Sequence, residues 1–193
     1  MTLAASSGST VRIEAPLGMH PAAAATDAVL AATAEFLEAA GDAAYTQPCA
    51  AFHSGTIGQH VRHLLDHVAA ALAGVGGAEI DYDHRRRDTP IETSRSAALR
   101  EIQSRRAEAR EVTAHVADRP AAVRVMLTAD GAEAVLGSTI GRELAFAAHH
   151  AIHHHAMISA IAGELGMTPP PGFGRAPATL HHERHSHPSP MRR

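Results

Sequence analysis

Tryptophan is absent, and the chain holds only two tyrosines and four phenylalanines. Strands favour aromatic and β-branched residues, so this scarcity argues against a sandwich or barrel and for closely packed helices. Cysteine occurs once, as Cys49. A single cysteine excludes an intrachain disulfide and a cysteine-rich zinc site. No pattern around Cys49 marks a reactive thiol, so a buried free cysteine is expected. No apolar run approaches membrane-spanning length, and Arg12 and Glu14 interrupt the region where a signal peptide would lie. No membrane contact is expected, and the expected location is cytoplasmic. Neither sign of charge dominates, since the net charge is −3 with histidine neutral. Arg85, Arg86 and Arg87 have acidic neighbours and no aromatic stacking platform, so no nucleic-acid partner is expected. Gly74, Gly76 and Gly77 follow a helical pattern rather than a strand, which excludes a dinucleotide-binding turn.

Histidine and alanine are abundant instead. His149, His150, His153, His154 and His155 fall within seven residues of an alanine-rich stretch free of Gly and Pro, which predicts a helix. Histidines four apart on a helix face the same way, and imidazole is a common ligand for divalent metals. At roughly 100° per residue, Ile140, Leu144, Ala147, Ala151, Ile158, Ala162 and Leu165 form one apolar stripe. His150 and His154 lie along its edge, so both can look into a protein interior. His149 falls opposite, His153 lies well away, and His155 sits on the other flank. A solvated histidine-rich helix and a metal helix both fit this stretch taken alone.

A second cluster strengthens the metal reading. His60, His63 and His67 share one side of a helical pattern whose apolar face carries Ile57, Val61, Leu64, Leu65, Val68 and Leu72. One histidine from this helix plus the pair His150 and His154 supplies three nitrogen ligands, leaving positions open as in a catalytic site. Helical phase alone puts His60 and His67 nearer the apolar face than His63.

These motifs resemble the DinB/YfiT-like family of metal-binding four-helix bundles. The run His150-Ala151-Ile152-His153-His154, followed by Ala156 and Ile158, is similar to the family's fourth-helix signature. The second-helix signature starts at Ser or Thr and places its ligand seven residues on, as Thr56 and His63 do. Weaker likenesses lie in Tyr82-Asp83-x-Arg85-x-Arg87-Asp88, in Arg142-Glu143-Leu144 and around Phe173 to Leu180. The resemblance implies His63, His150 and His154 as ligands of a divalent Zn, Ni or Fe ion. His60 then becomes a hydrogen-bonding neighbour of the metal, with His60 or His67 as the alternative third ligand.

The expected architecture is all-α: a four-helix bundle, a long crossover between helices 2 and 3, and a small β-hairpin before helix 4. Residues 1–20 read as a flexible arm, 21–180 as the bundle, and 181–193 as a disordered histidine-rich tail. Helix 1 is expected over 21–40, helix 2 over 56–73 with Thr56 or Ser54 as its cap, and helix 3 over 94–117. Asp130-Gly131 suits a hairpin turn, and Ser138 or Thr139 suits the cap of helix 4. Glu101/Arg105 and Glu108/Arg110 are expected as surface ion pairs. Glu143 is expected to orient an imidazole or to form a surface ion pair. The crossover arginines are candidates for gripping an anionic substrate group.

Characterised members of the resembled family include thiol-dependent S-transferases and a thiol-dependent isomerase. The resemblance therefore implies a metal-dependent enzyme acting on a small-molecule electrophile with a low-molecular-weight thiol. Metal-assisted hydrolysis is the alternative chemistry. A non-enzymatic metal-binding stress or sensor protein, or a homodimer whose site is structural, is the alternative class.

Overall fold

The computed structural model describes residues 18–84 and 89–186. The fold is mostly helical with one small sheet. In chain order the elements are α1 (Pro21–Ala39), α2 (Asp42–Thr46), α3 (Ile57–Ala73), β1 (Ile80–Asp81), α4 (Pro90–Thr93), α5 (Arg95–Arg110), α6 (Ala114–Ala117), β2 (Pro120–Met126), β3 (Glu133–Thr139), α7 (Ile140–Glu164) and α8 (Pro177–Ser186). Among the long helices, α1 and α3 each pack against both α5 and α7.

Local chemistry sets the helix starts. Pro21 opens α1, and His20 Nδ1 accepts a hydrogen bond from the Ala22 amide at 3.2 Å. Thr56 and Gln59 form a reciprocal capping box at the start of α3, with both bonds 3.1 Å long. Thr139 caps α7 by accepting from the Arg142 amide. The interior between these helices is aliphatic, with Leu30, Leu37, Leu64, Ile102, Leu144 and Ile158 fully buried. Cys49 is buried and free.

The third expected helix ends early and is broken. Its first part forms α5, and the chain turns between Arg110 and Ala114 before α6 resumes. The break has a partner: the His20 amide donates to the Val112 carbonyl at 2.8 Å, and Met19 bridges Thr113. Entry to α1 is thereby tied to the end of α5, and residues 18–20 are pinned rather than loose. Residues 1–17 of the expected arm lie outside the described residues. Glu101 and Arg105 pair as expected, but Glu108 also turns to Arg105, while Arg110 joins Arg106 on Asp27 of α1.

The expected hairpin is present, with β2 and β3 antiparallel from Pro120↔Thr139 to Met126↔Glu133. A third strand joins it, because β1 pairs parallel with β2 at Ile80↔Val123. Ile80 is fully buried, which gives this two-residue strand its anchorage in the core. Met126, Leu127, Val135 and Leu136 of the hairpin are exposed.

After α7 the chain folds back. Phe173 stacks on Phe36 with ring centroids 5.1 Å apart. Residues 181–186, expected as part of a disordered tail, form the last turns of α8. Residues 187–193 lie outside the described residues. No described helix is long and apolar enough to cross a membrane.

Candidate metal centre

The aliphatic interior is interrupted by a few buried polar side chains, among them Thr33, His67, Glu143, His154 and His155. Such groups need partners, so their grouping locates the chemistry. Helix α3 supplies His60, His63 and His67, and α7 supplies His150, His154 and His155. Gly58 lets the start of α3 approach its neighbour closely. A Cβ there would come within 2.1 Å of the Glu92 carbonyl oxygen, against the backbone of α4.

The packing of α3 on α7 brings His63, His150 and His154 together. One ligand nitrogen from each lies within 4.8 Å of the other two. The Nε2 atoms of His150 and His63 are 3.0 Å apart, and those of His154 and His150 are 3.2 Å apart. Neutral Nε2 has one in-plane direction, as an N–H donor or a lone pair. His150 Nε2 faces two other nitrogens, so protons alone cannot satisfy every contact of the cluster. A divalent cation can. With Zn–N bonds of about 2.0–2.1 Å, neighbouring ligands of a tetrahedral ion stand about 3.3 Å apart. The three histidines fit such an ion in donor type, number and spacing.

Burial tunes His154 towards neutrality. Burial is the main cause that lowers the His154 pKa to about 2, followed by neighbouring His63, His150, His60 and His153. Its ring therefore keeps a lone pair for a cation. His60 is also lowered, by burial and then by His153.

His60 and His67 take other roles. His60 Nδ1 lies 3.0 Å from His154 Nδ1, the nitrogen turned away from the cluster. His67 lies flat on His150, with centroids 4.0 Å apart and planes 14° apart. Phase correctly anticipated that His67 is buried, but burial did not decide which ring joins the three-nitrogen group. On α7, His149 and His153 are exposed. His155 points away from the group and bonds Thr33 of α1 through Nε2 at 2.8 Å.

Among the described residues Glu143 forms neither of the expected contacts, an exposed ion pair or a bond to an imidazole. It is 1 % exposed, and it accepts from Tyr82 at 2.8 Å, from Ser138 at 2.5 Å and from Arg142 at 2.9 Å. Burial, then the Glu143 bond and charge, raise the Tyr82 pKa, so its phenol stays protonated. Tyr82 was visible in the sequence only as part of a crossover motif. Phe146 carries a sequence signal as well, since it stands four residues before His150 on the same helix.

A cleft of about 460 Å³ opens beside the centre. His67, Tyr82, Glu143 and Phe146 line it; Val123, Val125 and Leu136 of the sheet form a wall, and Arg142 also lines it. Arg142 lies over the Phe146 ring at 5.3 Å. Arg85, Arg86 and Arg87, expected near an anionic substrate, lie outside the described residues.

Comparison with known proteins completes the description. No solved structure matches this chain. A protein of Rhizopus delemar named FK506-binding protein 5 is 38 % identical over 104 residues, which is 53 % of this chain and 27 % of that protein. The chain thus matches about a quarter of that relative's length. The family model of the DinB superfamily matches residues 25–158, a span that takes in α3, most of α7 and all three converging histidines, and the chain belongs to that superfamily.

Proposed function

We propose that this protein is a divalent-metal-dependent enzyme that joins a low-molecular-weight thiol to a small electrophile. Its metal would be Zn, Ni or Fe on His63, His150 and His154. The long helices α1, α3, α5 and α7 are read as a four-helix bundle, with the segment from 74 to 90 as its long crossover. The observation that carries the reading is the convergence of three Nε2 atoms next to a cleft whose lining residues His67 and Phe146 pack against His150.

A divalent cation held there supplies Lewis acidity, which lowers the pKa of a thiol or water that reaches it. The protein's own residues do the rest. The converging ring nitrogens of His63, His150 and His154 would offer lone pairs. Val123, Val125, Leu136 and Phe146 give the cleft an apolar wall. Arg142 places a cation by the cleft, where it can meet an anionic group of the substrate. In the reaction, the thiol sulfur bonds to the electrophilic carbon, the leaving group departs with the bonding pair, and the thiol proton passes to solvent.

The cleft favours an enzyme over a purely structural metal site, which has no use for a cavity beside it. The test is elemental analysis of protein purified without a histidine tag, followed by transfer assays on an aryl halide with several thiols. One equivalent of metal and metal-dependent loss of thiol are expected. Metal without turnover for any thiol would favour a binding protein; no metal would overturn the proposal.

A further inference from the structure

Glu143, Tyr82, His67 and His150 form a continuous chain of contacts across three segments. Glu143 Oε2 accepts from the Tyr82 hydroxyl at 2.8 Å. The Tyr82 ring stacks on His67, with centroids 5.0 Å apart and planes 21° apart. His67 in turn lies on His150 at 4.0 Å and 14°. Phe146 packs against the side of this stack, 5.3 Å from Tyr82 and 5.8 Å from His150.

Tyr82 comes from the crossover, His67 from α3, and Glu143 and His150 from α7. Glu143 is buried and also held by Ser138 and Arg142, so it is a fixed anchor. A ligand ring must have its plane fixed, because a lone pair is directional; groups around a ligand do this and tune affinity. Rotation of the His150 ring about its Cβ–Cγ bond would sweep its face through His67.

We propose that Tyr82 and His67 are positioning residues: anchored by Glu143, they clamp the His150 ring in the plane that aims Nε2 at His63 and His154. The proposal rests on the three-histidine metal reading. It assigns His67 a role through its flat ring face, not through a nitrogen. It also makes the crossover part of the metal centre, because Tyr82 reaches α7 from outside the helices that carry the ligands.

The test compares His67→Phe, His67→Leu and Tyr82→Phe with the natural chain, using cobalt(II) as the probe ion. Affinity and visible absorption are read at a temperature where circular dichroism shows each protein folded. His67→Phe keeps a flat ring and should bind within a few-fold of the natural chain, with an unchanged spectrum. His67→Leu should weaken binding by about 10–100-fold and shift the cobalt bands. Tyr82→Phe keeps the ring but loses the anchor, and should weaken binding several-fold; it carries the test if His67→Leu does not fold. Two outcomes would overturn the clamp alone: folded His67→Leu and Tyr82→Phe with unchanged affinity and spectrum, or loss of the ion from His67→Phe, which would make His67 a ligand. Failure of the natural chain to bind cobalt, zinc or nickel would remove the metal reading and the clamp together.

Discussion

The Nδ1 atoms of His60 and His154 lie 3.0 Å apart across the α3–α7 interface. Because His154 turns Nε2 towards His150, its Nδ1 is the nitrogen left to carry the proton when Nε2 binds a cation. His60 Nδ1 must then be bare and accept that hydrogen bond. His60 is thus placed to set the tautomer of His154 rather than to bind the ion. His60→Ala should weaken metal binding by about tenfold while leaving one equivalent bound at saturation. Competition with a chromophoric chelator measures this; complete loss of metal would make His60 a ligand.

His63→Ala, His150→Ala and His154→Ala should each abolish stoichiometric metal, since each removes one of three converging nitrogens. His149→Ala should retain it, because His149 is exposed on the opposite side of α7. Elemental analysis alongside far-UV circular dichroism checks both points. The aliphatic core should keep the three ligand variants helical. Unfolding on loss of His150 would instead mark the metal as structural.

His155 should make the metal-free protein acid-sensitive. Burial lowers its pKa to about 4, against about 6.5 in an unfolded chain. Between those values the unfolded chain binds a proton that the folded one refuses. The contribution is whole above about pH 6.5 and is lost as pH falls towards 4, by about 3 kcal/mol in all. The His155 ring stacks on Phe173 with centroids 4.0 Å apart, so His155→Phe preserves that contact and removes the titration. Urea midpoints from pH 7 to 4 should fall less steeply for this variant. Parallel slopes for the two proteins would show that His155 does not stay neutral on folding.

Gly174 should tolerate no side chain. Its φ is +77°, and a Cβ there would lie 2.6 Å from the Ala156 amide nitrogen. Gly174→Ala combines backbone strain with a clash against α7, at a cost of about 2 kcal/mol in stability. The segment around Phe173 would lift from His155 and Phe36, on the side of α7 facing α1. Metal bound at the α3 interface should therefore be retained. Chemical denaturation and metal content, measured on the same sample, separate the two effects; an unchanged urea midpoint would count against this account of Gly174.

Much of the architecture follows from short-range pattern. Apolar periodicity marked α1, α3 and α7, and Thr56 and Thr139 marked two helix starts through their side-chain oxygens. The spacing of His150 and His154 put two imidazoles on one edge of α7, because four residues are close to one helical turn. Asp130-Gly131 marked the hairpin, since Gly131 adopts a φ of +91° that few residues accept. These are properties of neighbouring residues, so the sequence by itself determined them. Tertiary structure alone decided which of His60, His63 and His67 joins the other two nitrogens. All three share a side of α3, and rotation of that helix against α7 selects among them. Likewise only folding could pair Glu143 with Tyr82, 61 residues apart, or join the two residues of β1 to β2 by a buried Ile80. The same holds for Thr33 and His155, and for Val112, whose carbonyl takes the His20 amide and ends α5. Each depends on a partner far along the chain, and helical or strand periodicity carries no information about how far an element turns or slides against its neighbour.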